Sequence, residues 1–198
     1  FSMGSNNLTM GAGTTLFVKS GTSFAPTANV DLVNFKNPGT TTLANLSSST
    51  FTVSGNFNSS GTFTPSTKTV TLDGSSQTVT GNSSNLTFYN LSKTGGGGST
   101  LTIDGNGGAV IVSNSLTLSG TNAGSQMTVA DVGSTIFRLT SGGSQSLSYL
   151  SVANMNATGG DTLNCGTSCT DGDGNTNWTF ISGGGGGGGG AGGGGGAA

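Results

Sequence analysis

Between Thr67 and Gly81 the chain reads TKTVTLDGSSQTVTG: apolar residues alternate with threonine and serine, a glycine breaks the run, and the alternation resumes. A period of two puts successive side chains on opposite faces, which is the pattern of a strand and not of a helix. This rhythm recurs over most of the 198 residues, and no other feature narrows the possible folds as far. Candidate strands are FTV from Phe51, NFN from Asn56, TFT from Thr62, TVTL from Thr69, TVT from Thr78 and LTFYNL from Leu86. They continue as LTI from Leu101, AVIV from Ala109, LTL from Leu116, MTV from Met127, IFRL from Ile136, LSYLSV from Leu147 and WTF from Trp178. Between them stand Gly, Asn and Ser, residues that favour turns and disfavour helix interiors.

An all-β chain with strands this short has two main solutions. One is an antiparallel β-sandwich, the runner-up here. The other is a parallel β-solenoid (β-helix), in which each coil supplies two or three strands and coils stack about 4.8 Å apart. The solenoid is favoured because T-x-T, N-x-N and S-x-S patterns stack into polar ladders, while two-residue hairpin signals are sparse. Asp73–Gly74 is the best of these, and DGNGG from Asp104 to Gly108 makes a longer turn. At roughly 20–25 residues per coil the chain makes about eight coils. Val70, Leu72, Val79, Leu86, Phe88, Leu101, Ile103, Val110, Val112, Leu116 and Leu118 are expected inside, with Thr, Ser and Lys facing water. Three regions are expected: 1–50, an irregular β opening; 51–181, the regular solenoid; and 182–198, a Gly/Ala tail. That tail reads as a linker, as a segment docked on a neighbour, or as positions of unassigned identity, and nothing here rests on its chemistry.

Charge decides which functions the composition disfavours. Charged residues are 6% of the chain, against about 25% in ordinary globular proteins. The basic residues Lys19, Lys36, Lys68, Lys93 and Arg138 are scattered, so no basic stripe marks a nucleic-acid site. No run of eighteen apolar residues marks a membrane span. A chain that begins at Phe1 without a methionine is expected to be processed or partial, its export signal already removed. A surface of hydroxyls and amides offers little repulsion to lateral or end-to-end contact.

Chemistry-bearing residues are few. Histidine is absent, and the acids are Asp31, Asp73, Asp104, Asp131, Asp161, Asp171 and Asp173. Paired carboxylates serve polysaccharide cleavage, but Asp73 and Asp104 each precede a turn glycine and fit poorly as a pair. No catalytic residue is assigned. No cofactor is expected, apart from calcium at Asp171, Asp173 and Asn175. These residues of DGDGNTN open like an oxygen-ligand loop but depart from it at Thr176 and Ser182. Cys165 and Cys169, the only cysteines, are expected to form a disulfide, which suits an exported protein. Trp178 and Phe180 are expected to cap the last coil, or less plausibly to bind sugar. The first residues, among them Phe1, Leu8 and Leu16, are expected to make inter-subunit contact.

The phrases VTLDG, QTVTG, NLTFYNL and NTNWTF, within residues 51–181, resemble repeats of bacterial extracellular β-helix surface proteins of the adhesin-like, filament-forming kind. The resemblance implies a secreted, cell-surface or filamentous location and a structural or adhesive role. The expected function is a structural subunit of an extracellular bacterial filament or surface fibre. It would be its own partner, in a head-to-tail homopolymer. The alternative is a glycan-binding adhesin stalk, and a polysaccharide lyase or hydrolase stands third.

Overall fold

The structure, a computed structural model, describes residues 6–46 and 50–181. Phe1 and the 182–198 tail lie outside the described residues. The protein is all-β, a parallel β-solenoid of about seven turns with no helix among the described residues. Every pairing between named strands is parallel, which is what rules out the sandwich.

Three walls wind around one axis. The first stacks Leu8–Thr9, Val30–Leu32, Phe51–Val53 and Thr69–Leu72, then the second halves of Leu86–Thr94 and Val110–Ser119, then Ser144–Ser148. The second runs from Thr15–Phe17 through Asn34–Lys36, Phe57–Asn58, Ser76–Thr80, Thr100–Asp104, Met127–Asp131 and Leu150–Ala153 to Thr170–Asp171. The third stacks Ser23–Phe24, Thr40–Thr42 and Thr62–Thr64. It continues in the first halves of the two long strands and in Phe137–Leu139. The long strand Leu86–Thr94 turns from the third wall to the first at an irregularity between Phe88 and Asn90.

Register lines the inward residues into columns. Leu8 pairs with Val30, Val30 with Phe51, Phe51 with Val70, Val70 with Leu91 and Leu91 with Leu116, so these coils advance by 19–25 residues. The step from Leu118 to Leu147 is 29 residues. That longer coil is one reason the rod has about seven turns where an even period suggests eight. Residues 8–42 pair in the same registers as the rest, so the opening is irregular in letters but continuous in hydrogen bonding.

All eleven residues expected inside are buried. Phe35, Phe51, Phe57, Phe63 and Phe88 form an aromatic cluster, with Phe57 within 5.1 Å, centroid to centroid, of three of the others. Asparagine holds the corners. Asn34 Oδ1 accepts from the Asn56 backbone N–H at 2.9 Å, and Asn56 Oδ1 accepts from that of Thr78 at 2.8 Å. Each side chain thereby satisfies a backbone donor of the next coil that the turn leaves without a ladder partner. Close stacking also requires glycine: a Cβ on Gly61 would lie 2.1 Å from the carbonyl oxygen of Gly39.

One expectation fails inside the core. Lysine was placed on the outer face, yet Lys93 is fully buried. It pairs with Leu72 below and Leu118 above, in an otherwise apolar column. The alternation itself dictates this: Leu91 points in, Ser92 out, and Lys93 in again. Residue type gave the wrong answer where period gave the right one, because neighbouring coils supply the amine with partners.

Candidate functional site

Among the described residues, Leu8–Thr9, Thr15–Phe17 and Ser23–Phe24 of the first coil each pair on one side only, with the second coil. An unpaired edge of a parallel sheet presents N–H and C=O groups that another strand can take up. Beside these edges a groove of about 290 Å³ is lined by Leu16, Phe17, Val18, Thr22, Ser23 and Phe24. Phe17 is 54% exposed, an unusual position for a large apolar ring, with Lys36 Nζ 5.8 Å from its centroid. Leu8 and Leu16 are half-buried against the core. Both leucines are expected contact residues; Phe17 is not among them, although the alternation of LFV, with Leu16 inward, directs Phe17 outward.

At the opposite end Trp178–Phe180 pairs with Leu163–Gly166, Trp178 opposite Leu163. The Trp178 and Phe180 rings stack at 6.1 Å and 9°. Trp178 is only 9% exposed and belongs to the core cluster, while its Nε1–H has no hydrogen-bond acceptor among the described residues. Ile181, the last described residue, is 57% exposed. Thus apolar side chains reach solvent at both ends of the described rod.

Cys165 and Cys169 are disulfide-bonded, Cα to Cα 5.6 Å, and close a tight loop on which Gly166 has φ +59°. Cys169 Sγ also accepts the Leu150 backbone N–H at 3.3 Å, which ties the loop to the coil below. The closed loop is short, so chain entropy sets the stabilisation at about 2 kcal/mol. Reduction is therefore expected to lower the unfolding free energy by that amount and leave the solenoid folded. Far-ultraviolet circular dichroism of the reduced, alkylated protein checks this.

Asp171, Asp173 and Asn175 form a turn closed by its own groups. Asp171 Oδ1 accepts from the Asp173 N–H at 3.1 Å and from Asn175 Nδ2 at 2.6 Å. Asn175 Oδ1 accepts from the Met155 N–H at 2.9 Å. Asp171 Oδ1 and Asn175 Oδ1 are thus engaged within the protein, and among the described residues no three Cys, Asp or other metal-ligating acids cluster. Asp73 sits at the corner between the first and second walls. Asp104 ends a second-wall strand, where its Oδ1 accepts from the Asn106 N–H at 3.0 Å. The two occupy different corners, so the fold does not bring them together as a pair.

The densest polar cluster is inside the rod. Lys93 Nζ donates to the Gly74 carbonyl and to Gln77 Oε1, both at 2.6 Å. Gln77, 2% exposed, donates through Nε2 to the carbonyls of Val53 at 2.7 Å and Gly55 at 2.6 Å. Its Oε1 also accepts the Gly74 N–H at 3.0 Å. Burial pushes the Lys93 amine down from 10.5 to about 8, partly opposed by the negative charge of Asp73.

Fold and surface together define the class: a narrow β-solenoid with one disulfide and, among the described residues, open strand edges and no helix long and apolar enough to cross a membrane. Compared with protein-family models, curated proteins and solved structures, the chain matches none.

Proposed function

We propose that this protein is the structural subunit of an extracellular bacterial filament or surface fibre, extended by end-on strand addition between copies. The observation that carries the reading is the first coil, whose three strands have no partner on their outer side among the described residues, beside the exposed Phe17. A second copy offers edges of the same parallel kind, since Thr170–Asp171 and Trp178–Phe180 each pair on one side only among the described residues. Head-to-tail contact of this kind does not close on itself, and so it propagates. The low charge of the walls, 6% charged residues overall, removes a repulsion that would oppose polymerisation. The disulfide is compatible with an oxidising, extracellular location. The glycan-binding reading finds less support, because the Trp178 ring it would use is largely covered.

Negative-stain imaging and light scattering of the purified chain at physiological salt test this. Rods many subunits long are expected for the wild type. The variant Phe17→Glu places a carboxylate at the open edge, on a side chain that is already exposed, and is expected to leave monomers of unchanged circular dichroism. A wild type that stays monomeric at high concentration overturns the proposal.

A further inference from the structure

We propose that the side chains of Lys93 and Gln77 become joined by an amide bond, formed by the protein itself with loss of ammonia. The bond would tie one coil to the next. The inference does not depend on the filament reading; it rests on the geometry of the buried cluster.

Three features of that geometry belong to an acyl transfer. The amine nitrogen lies 2.6 Å from Gln77 Oε1, the oxygen bonded to the carbonyl carbon, so a swing of Nζ from the oxygen's lone-pair side to the face of the amide brings it to that carbon. The Gly74 N–H donates to the same oxygen at 3.0 Å, which draws electron density from the carbon and stands ready to hold charge on that oxygen. The amide nitrogen is held by the Val53 and Gly55 carbonyls, so the group cannot turn away. Both hydrogen-bond partners of Lys93 are neutral oxygens, and no carboxylate directly bonded to the amine fixes it as an ammonium. The Lys93 side chain has no exposed surface, which limits competition by water, while its amine reaches the half-exposed Gly74 turn, through which a proton can pass to solvent. Holding the partners together replaces a bimolecular encounter. The lowered basicity of the amine supplies the neutral form near physiological pH.

The step balances without a co-reactant. The ammonium first gives a proton to solvent. The Nζ lone pair then attacks Gln77 Cδ, and the carbonyl π pair moves onto Oε1, facing the Gly74 N–H. Collapse re-forms the carbonyl and breaks the Cδ–Nε2 bond. Nε2 takes one proton from Nζ and leaves as ammonia. The remaining N–H of the new amide can keep its bond to the Gly74 carbonyl. The link joins Ser76–Thr80 on the second wall to the inward side of Leu86–Thr94 on the first, a tie between successive coils that the Cys165–Cys169 loop does not provide.

Mass spectrometry of the reduced, intact full chain tests this. The wild type is expected about 17 Da below its residue mass, one ammonia. Lys93→Met and Gln77→Met are each expected to restore the full mass. A succinimide at Asn106–Gly107 also loses ammonia, but it survives both substitutions. A proteolytic digest is expected to yield a branched peptide joined through Gln77 and Lys93. A second readout separates linked from free amine. A free amine holds its proton to about 8 when folded and to 10.5 when unfolded, so stability would rise with pH across that window. The linked protein has no such rise. Full residue mass in the wild type, persisting after incubation of the folded protein near pH 9, overturns the proposal. So does an ammonia loss that both variants retain, or a stability rise that Lys93→Met abolishes.

Discussion

Replacing Phe57 by alanine is expected to lower the unfolding free energy by about 4 kcal/mol, read as a drop in the guanidinium midpoint at unchanged slope. Phe57 is fully buried and stands at the centre of the aromatic cluster, with Phe35 at 4.9 Å and Phe63 and Phe88 each at 5.1 Å. It also occupies one layer of an inward column, between Phe35 and Val79. Two terms add: the lost transfer of a large ring, and the cavity left between coils whose backbones are fixed by ladder hydrogen bonds. Those ladders limit collapse of the site, so the cost belongs in the upper part of the range for such truncations. Phe17→Ala, at the exposed position of the first coil, is the contrasting control and is expected to change monomer stability by less than about 0.5 kcal/mol. Equal effects at the two positions would contradict the register described here.

Against wild type of full residue mass, in which the Lys93–Gln77 amide has not formed, Gln77→Leu is expected to cost about 3 kcal/mol, by the same measurement. The substitution keeps an apolar shape of similar size but strips the Val53 and Gly55 carbonyls of their side-chain donor, and it takes the Oε1 acceptor from Lys93. Lys93 is then left buried with the Gly74 carbonyl alone. The penalty is the desolvation of groups without partners, which exceeds the modest gain of the bonds when made. The double variant Gln77→Leu, Lys93→Met should therefore recover at least about 1 kcal/mol relative to Gln77→Leu, because a polar cluster replaced whole costs less than one broken in half. If the two changes simply add, the cluster is not the coupled unit the distances describe.

Much of this molecule can be read from its letters because a strand's period is two. FTV, TVTL and LTI each commit their alternate residues to one side, and the burial of Phe51, Val53, Val70, Leu72, Leu101 and Ile103 follows. Residue identity was the poorer guide wherever it disagreed with the period. Phe17 is exposed because Leu16 points inward, and Lys93 is buried because Leu91 does. The disulfide was also legible, since the chain has one cysteine pair and a glycine that lets the loop close. The opening fifty residues looked irregular because their coils differ in spelling, although their pairing is the same.

The sequence by itself therefore determined the strand character, the inward set and the absence of helix, all local consequences of side-chain alternation and turn chemistry. Tertiary structure alone decided which coil lies on which. Register between stacked layers is a relation among residues about twenty positions apart, and each step varies with corner length. That relation places Gln77 against Lys93, lines Asn34 over Asn56, and, among the described residues, leaves three strand edges open at the first coil. No local pattern encodes it, because backbone hydrogen bonds between layers are indifferent to side-chain identity and the choice falls to packing inside the rod.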